Sequence, residues 1–353
     1  MKTYKIGVLK GDGIGTEIVE SAVKVLTKAA EKYEVDIELM DLPVGWEAIE
    51  SHDHPLPEST VNALKSVAGW ILGPHDSASY PEEHKEKRNP SGELRHIFDL
   101  FSNVRPAKNL SGIKSVVENT DLIIYRENTE GFYADRNMFK GKGEFRVTED
   151  VALATGVFTK KAVERIAHEA FKAAMRRRKK LTVVHKANVL SMSSGLFLEV
   201  CMEISKEYPE VEVDDYHIDA MTAHLVRRSQ DFDVIVTENM FGDILSDLTG
   251  ELTGSLGIAP SINTNEQMGM AQAAHGSAPD IAGKDLANPI GILFSTAMLF
   301  NWLYMKDGNE KLKKVHESIE NSIQQALYEG HATKDLGGDH STTGFTEILL
   351  KKI

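Results

Sequence analysis

The sequence predicts an α/β fold with a mainly parallel sheet, because apolar β-branched runs alternate with segments of helical periodicity. The pattern begins with Tyr4–Leu9, an apolar strand that runs into a glycine turn. A helix with Ile18, Ala22 and Val25 on one side follows the turn. The chain has 353 residues, enough for about two domains of roughly 150 residues each.

Further elements continue this alternation. Strands are predicted at residues 35–40, 69–72, 122–125, 181–185, 211–218 and 234–237. Helices are predicted at residues 59–66, 160–176, 193–207, 241–252 and 289–303. The series contains no internal repeat and no low-complexity linker, so any domain boundary is expected to be a crossing of the chain within a compact molecule.

Composition and charge argue against several functions. The chain has 40 Lys and Arg against 53 Asp and Glu, a formal net charge of −13, which gives no support for binding nucleic acid. The single cysteine, Cys201, cannot form an intrachain disulfide. A reducing, cytoplasmic location fits this usage, and the first residues show no export signal.

One segment has the length of a membrane span. Residues 286–305 form twenty residues without a charge, which could cross a bilayer. Polar residues nevertheless occur within it, at Asn288, Ser295, Thr296 and Asn301. They favour a buried helix, so we expect no membrane association.

The turn Gly11–Asp12–Gly13–Ile14–Gly15 resembles the phosphate-binding turn of dinucleotide-binding folds, and Asp41 lies where a ribose-binding acid would lie. The glycine spacing is G-x-G-x-G rather than G-x-G-x-x-G, and Glu17 occupies the first helical turn. This weighs against a standard Rossmann site. A tight turn that needs flexible residues is the alternative.

Asp243 and Asp247 lie four residues apart in a predicted helix. The apolar face predicted for this helix contains Phe241, Ile244, Leu245 and Leu248. Like charges at this spacing destabilise a helix by a few tenths of a kcal/mol unless a cation lies between them. Oxygen ligands favour Mg²⁺ or Mn²⁺. A solvated acidic face is the alternative.

Cationic and phenolic side chains suggest a site for an acidic substrate. Arg95, Arg105 and Arg126 stand beside apolar patterns, where arginines often bind carboxylates, and structural ion pairs are the alternative. Lys186 follows a strand of buried type, where an amine can be tuned to act as a base. Tyr133 lies just past a strand end. A structural role is the alternative for both.

Seven motifs together resemble the isocitrate and isopropylmalate dehydrogenase family, the metal-dependent β-decarboxylating dehydrogenases. In order they are GDGIG with Glu17, DLFSNVRPAK, RENTEGFY, VHKANVL, ENMFGDILSD, GIAPS and HGSAPDIAGKDLANP. The resemblance implies a doubly wound, two-domain fold that is not a standard Rossmann fold. It places a large cofactor-binding domain at 1–99 and 253–353. A small domain at 100–252 would form a homodimer with shared active sites.

The resemblance also implies the site residues. Arg95, Arg105 and Arg126 would bind substrate carboxylates and Tyr133 would be the acid. Lys186, the base, and Asp219 would come from the other subunit, and Asp219 would complete the metal site with Asp243 and Asp247. NAD would bind along the HGSAPD loop and its neighbours, at His275, Gly276, Ser277, Ala278, Pro279, Asp280, Ile281 and Asn288. NAD is expected because NADP-using members carry a Lys-Tyr pair where this chain has Asp280 and Ile281.

The resemblance implies a 3-carboxy-2-hydroxy acid as the substrate, and two departures from the isopropylmalate pattern favour a polar C3 substituent. Ser91 stands four residues before Arg95, where isopropylmalate enzymes carry an apolar residue, and the tyrosine motif is RENTEG rather than RELTGG-like. Isocitrate is therefore expected. The alternatives are homoisocitrate, 3-isopropylmalate, and tartrate or D-malate. A catalytically silent regulatory subunit of isocitrate dehydrogenase is a further alternative, as is a metal-free dehydrogenase with a standard Rossmann site.

Overall fold

A computed structural model of the chain describes residues 2–85, 87–133 and 143–353. Its strands are β1 (Tyr4–Leu9), β2 (Ile37–Asp41), β3 (Gly69–Leu72), β4 (Ser102–Lys108), β5 (Asp121–Glu127), β6 (Glu144–Thr148), β7 (Val151–Ala154), β8 (Lys180–His185), β9 (Glu212–His217), β10 (Val234–Thr237), β11 (Ile262–Thr264) and β12 (Gly269–Ala271). Its helices are α1 (Gly15–Lys32), α2 (Trp46–His52), α3 (Glu58–Leu64), α4 (Glu82–Lys85), α5 (Pro90–Ile97), α6 (Lys160–Arg176), α7 (Ser193–Ser205), α8 (Ile218–Arg228), α9 (Asn239–Thr253), α10 (Ile290–Asp307), α11 (Glu310–Tyr328) and α12 (Thr342–Lys352).

The chain divides into two compact units. The terminal unit contains the residues up to Leu94, Leu110–Lys114 and Gly254–Ile353. The central unit contains Arg95–Asn109 and Ser115–Thr253.

The strands of the terminal unit lie in the order β2-β1-β3-β12-β11. Strand β1 pairs in parallel with both β2 and β3, β12 pairs in parallel with β3, and only β11 is antiparallel to its neighbour β12. Helix α10 is buried along most of its length and packs against α1, α11 and β12. The prediction of a buried helix within residues 286–305 is therefore confirmed. Among the helices of the described residues, none is long and apolar enough to cross a membrane.

The GDGIG turn of the terminal unit organises neighbouring loops. The buried carboxylate of Asp12 accepts hydrogen bonds from the backbone N–H groups of Trp46 and Asp76, at 2.8 and 2.9 Å, and from the hydroxyl of Tyr80 at 2.6 Å. Gly13 has φ +59°, and a Cβ there would lie 2.0 Å from the carbonyl oxygen of Ser277. The turn therefore needs glycine in order to approach another segment of backbone.

The strands of the central unit lie in the order β4-β5-β10-β8-β9. Only the β4–β5 pair is antiparallel among the strand pairs described within this order. Successive residues of a strand face opposite sides of its sheet, and β10 shows this: Val234 and Val236 pack with α6 and α7, whereas Ile235 packs with α8 and α9. Helices cover both faces, which is the doubly wound arrangement.

Apolar side chains are exposed in one part of the central unit that stands outside its sheet. Strands β6 and β7 form a separate antiparallel ribbon. Phe145, Val147, Val151 and Leu153 of this ribbon are each 45–56% exposed. An isolated two-stranded ribbon is marginally stable in water, so these residues are candidates for burial against another surface.

Candidate active site

Helix α9 places Asp243 and Asp247 on the side opposite its buried apolar stripe. Phe241 and Leu245 are buried, whereas Ile244 is 52% exposed. The prediction that Ile244 belongs to the buried apolar face is therefore wrong. At about 100° per residue, Ile244 is rotated roughly 60° from Phe241, and it lies at the edge of the apolar stripe rather than within it.

Arg126, at the end of β5, is almost fully buried and forms an ion pair with Asp243 through Nη1 and Oδ1. Its Nε and Nη2 atoms donate to Oδ1 of Asn239, at 3.1 and 2.7 Å. Gly242 makes this packing possible, because a Cβ at that position would lie 2.6 Å from Cγ of Arg126. Burial and the nearby charge of Arg105 lower the pKa of Arg126 to about 10.

Arg105, on β4, connects both aspartates. Its Nη1 atom donates to Oγ of Ser246 at 2.7 Å and to Oδ1 of Asp247 at 3.3 Å, and its Nη2 atom lies 3.5 Å from Oδ1 of Asp243. Nε donates to Oδ1 of Asn103 at 3.2 Å. The two buried guanidinium groups therefore offset the repulsion between the two carboxylates.

The two aspartates have different electrostatic environments. Burial alone would raise the pKa of Asp243, but the charges of Arg126, Arg105 and Arg95 outweigh it and lower that pKa. Burial raises the pKa of Asp247, and Arg105 offsets this only in part. Asp243 is thus held as a carboxylate, and Asp247 is the more easily protonated member of the pair.

Tyr133 also reaches this group, since its hydroxyl donates to Oδ2 of Asp243 at 3.4 Å. The turn before Tyr133 is held by the buried carboxylate of Glu127, which accepts from the N–H groups of Thr129 and Glu130 at 2.8–3.0 Å. Five predicted site residues therefore come together in the central unit: Arg105, Arg126, Tyr133, Asp243 and Asp247.

Lys186 and Asp219 form a separate pair, with Nζ and Oδ1 2.5 Å apart. Lys186 follows β8, and Asp219 lies in the first turn of α8. The hydrogen bond from Lys186 lowers the pKa of Asp219. Within the described part of one chain, the three predicted metal aspartates do not form a group with ligand atoms within 4.8 Å of one another.

The predicted cofactor residues lie in the terminal unit, on the loop between β12 and α10. Nδ1 of His275 donates to the carbonyl oxygen of Gly276 at 3.0 Å, so Nε2 is the ring acceptor. Nε2 is buried and has no hydrogen-bond partner among the described residues. A bound ligand with a hydrogen-bond donor could satisfy this acceptor. Asp280 is exposed. Oδ1 of Asn288 accepts from the N–H of Ile290, the first residue of α10, at 2.9 Å.

Ser91, on α5, is buried, and its hydroxyl donates to Oε1 of Gln272 at 2.7 Å. Arg95 follows one turn later on the same helix. The hydroxyl of Ser91 is therefore held by Gln272.

Several supporting residues were not identified from the sequence. They are Asn103, Asn239, Gly242 and Ser246, which hold or admit the two buried arginines. For two of them, the helical spacing from Asp243 could have indicated a place in the site. Asn239 and Ser246 lie four residues before and three residues after Asp243, on the same face of α9.

Comparisons with known proteins identify the family. The family model of isocitrate/isopropylmalate dehydrogenase matches residues 5–349. The chain belongs to this family.

Individual relatives have different names. A 3-isopropylmalate dehydrogenase from Aquifex aeolicus is 41% identical, over 100% of this chain and 97% of its own length. A homoisocitrate dehydrogenase from Methanocaldococcus jannaschii is 38% identical, over 99% of this chain and 97% of its own length. The crystal structure of isocitrate dehydrogenase from Methylococcus capsulatus has a TM-score of 0.88 at 36% identity, over 99% of each chain. The chain is thus a β-decarboxylating dehydrogenase at the level of the family, which acts on small hydroxy acids.

Replacing Gly242 by Ala is expected to destabilise the chain, although alanine normally favours a helix by about 1 kcal/mol over glycine. The new Cβ would lie 2.6 Å from Cγ and 2.7 Å from Cβ of Arg126, so Arg126 must move away from Asp243. We expect a loss of about 1–3 kcal/mol in the free energy of unfolding, measured by chemical denaturation.

The matched control is Gly195→Ala in α7, where a Cβ would meet only the carbonyl oxygen of Leu190 at 3.9 Å. This control should be neutral or slightly stabilising. A gain in stability for both variants would show that Arg126 does not pack closely on α9.

Proposed function

We propose that the protein catalyses NAD-dependent and Mg²⁺- or Mn²⁺-dependent oxidative decarboxylation of a 3-carboxy-2-hydroxy acid, with an isocitrate-like substrate preferred. The cluster of Arg105, Arg126, Tyr133, Asp243 and Asp247 carries the proposal. It combines two buried guanidinium groups that suit carboxylates, a phenol that can give a proton, and two carboxylates that suit a hard divalent cation.

We infer that the active unit is a homodimer with shared sites, in which Lys186 and Asp219 serve the partner's cluster. Two observations support this. The Lys186–Asp219 pair lies apart from the cluster within one chain, and Asp219 remains exposed. The central unit also exposes large apolar side chains, including Met192 at 88% and Ile244 at 52%, which a dimer contact would bury.

Each protein group has a role in the proposed reaction. Arg95, Arg105 and Arg126 bind substrate carboxylates, and Lys186 accepts the proton of the C2 hydroxyl. Tyr133 gives a proton to C3 after carbon dioxide has left.

Two bound groups supply the remaining chemistry. The His275 loop would hold NAD, which would supply a hydride acceptor for C2. Asp243, Asp247 and Asp219 of the other subunit would hold a divalent cation, which would supply Lewis-acid chemistry at the oxygen on C2. We place this enzyme in the cytoplasm, without a nucleic-acid or membrane partner, on the single cysteine and the net charge of −13.

Ser91 supports the preference for a polar C3 substituent, because it presents a buried hydroxyl oxygen rather than an apolar surface. The second candidate is 3-isopropylmalate, since the relatives from Aquifex aeolicus and Saccharolobus solfataricus carry that name.

NADH formation should be measured with Mn²⁺ or Mg²⁺ against D-isocitrate, homoisocitrate, 3-isopropylmalate, D-malate and tartrate. We expect the highest kcat/KM with isocitrate or homoisocitrate and no turnover in EDTA. The variant Ser91→Leu should lower kcat/KM for isocitrate by about tenfold while affecting 3-isopropylmalate much less, because an apolar side chain then faces the C3 substituent.

A parent enzyme that prefers 3-isopropylmalate would contradict the assignment to Ser91 and establish the second candidate. No turnover of any of these acids in the presence of metal would instead favour a catalytically silent subunit. Activity that persists in EDTA would contradict the metal-dependent reaction.

The cofactor is proposed to be NAD because the carboxylate of Asp280 can accept hydrogen bonds from the adenosine ribose and repels a 2′-phosphate. The double variant Asp280→Lys with Ile281→Tyr should shift the NAD/NADP ratio of kcat/KM toward NADP by about tenfold or more. Glu266→Lys replaces an acidic residue by lysine, as Asp280→Lys does, at another exposed position of the terminal unit. It serves as the control, and an unchanged ratio in the double variant would refute the role of Asp280.

A further inference from the structure

A buried polar chain ends at the backbone of Lys186. The N–H of Lys186 donates to Oγ of Ser194 at 2.6 Å, and the Ser194 hydroxyl in turn donates to Oε1 of Glu238. Ser194 is fully buried and Glu238 is only 4% exposed. A buried carboxyl group is costly unless it is hydrogen-bonded. Packing alone therefore does not explain why Glu238 is buried here.

These hydrogen bonds connect the ends of two neighbouring strands. Lys186 follows β8 and Glu238 follows β10, and these strands pair in parallel up to Thr237 and Val184. Ser194 lies in the first turn of α7. The carbonyl oxygen of Glu238 accepts from the N–H of Gly242 at 2.8 Å, so Glu238 is also tied to the start of α9.

The segment around Lys186 is held at a second point. Nδ1 of His185 accepts from the N–H of Ala187 at 3.1 Å, while Nε2 of His185 donates to Asp215 at 2.9 Å. Backbone groups at both Lys186 and Ala187 are thus fixed by buried side chains. The lysine side chain itself extends to Asp219, with Nζ and Oδ1 2.5 Å apart.

We propose that Glu238 is a positioning residue for Lys186, acting through Ser194. This inference rests on the proposed function, in which Lys186 accepts a proton from the substrate hydroxyl. A base must lie within hydrogen-bond reach of that proton, and a misplacement of about 1 Å can lower the rate by about 100-fold. By fixing the backbone N–H, Glu238 limits where the amino group of Lys186 can lie.

The burial of Glu238 agrees with this assignment. Burial raises the pKa of Glu238 to about 7, and the hydrogen bond from Ser194 opposes that rise. The Ser194 hydroxyl can donate to either the ionised or the protonated carboxyl group, because both forms keep an acceptor oxygen. Glutamine keeps such an oxygen at the same place.

The test compares Glu238→Ala, Ser194→Ala and Glu238→Gln in the full-length enzyme, by steady-state kinetics with saturating metal and NAD. We expect the two alanine variants to lose about 10- to 100-fold in kcat while KM for the hydroxy acid changes by less than about threefold. Glu238→Gln should keep most of the parent kcat. Ser194→Ala is a small change that serves if Glu238→Ala does not fold.

The control is Asp233→Ala, which removes another buried carboxylate at the opposite end of β10. Asp233 binds Arg177 and the N–H of Arg178. This variant should lower the unfolding temperature without changing kcat. If kcat falls equally in this control, or if Glu238→Ala and Ser194→Ala keep the parent kcat, the positioning role is wrong.

Lys186→Ala separates this inference from the function beneath it. An inactive Lys186→Ala enzyme together with a fully active Glu238→Ala enzyme would refute only the positioning role. A fully active Lys186→Ala enzyme would refute the proposed role of Lys186, and with it the purpose assigned to Glu238.

Discussion

The ion pair between Arg126 and Asp243 is the contact on which the candidate site depends. Arg126 is only 2% exposed, and a buried guanidinium group without a partner would cost about 3–5 kcal/mol. Asp243 forms an ion pair with this guanidinium group and Asn239 accepts its hydrogen bonds, both from one face of α9. Gly242 allows that face to lie against the arginine. The position of α9 on β5 is therefore set by a charge pair as well as by apolar packing.

Most of the sheet could be predicted from the sequence because its inner strands are continuous apolar runs. β1, β3 and β10 begin and end at the predicted residues, as does α6. The strand β4 was missed, since its sequence SNVRPAK is polar and contains a proline. Within it, Asn103 and Arg105 are buried, and Asn103 accepts a hydrogen bond from Arg105 of the candidate site. β11 and β12, with three residues each, are too short to show a periodicity.

Local patterns in the sequence indicate the residue types of the site but not their grouping, which only the family resemblance implied. Arg105 and Asp247 are 142 residues apart in the chain, and no local pattern indicates that they meet. The pairing of Lys186 with Asp219 could not be predicted for the same reason. In the proposed dimer, Asp219 would join Asp243 of the other subunit, a contact that neither periodicity nor motif spacing determines.

The proposed dimer gives Glu238 an unusual place. Through Ser194 it holds Lys186, which is proposed to serve the partner's site, while its own helix α9 carries Asp243 for the site of its own chain. A substitution at Glu238 would therefore affect both active sites of the proposed dimer. Neither site could be complete in a single chain.

Subunit complementation tests the shared site most directly. Lys186→Ala and Asp243→Asn subunits carrying different tags would be coexpressed, and the mixed dimers purified and assayed. Each homodimer should be inactive, whereas the purified mixed dimers should recover about half of the parent activity, because one of the two sites in each mixed dimer is intact. Mixed dimers as inactive as either homodimer would contradict the account.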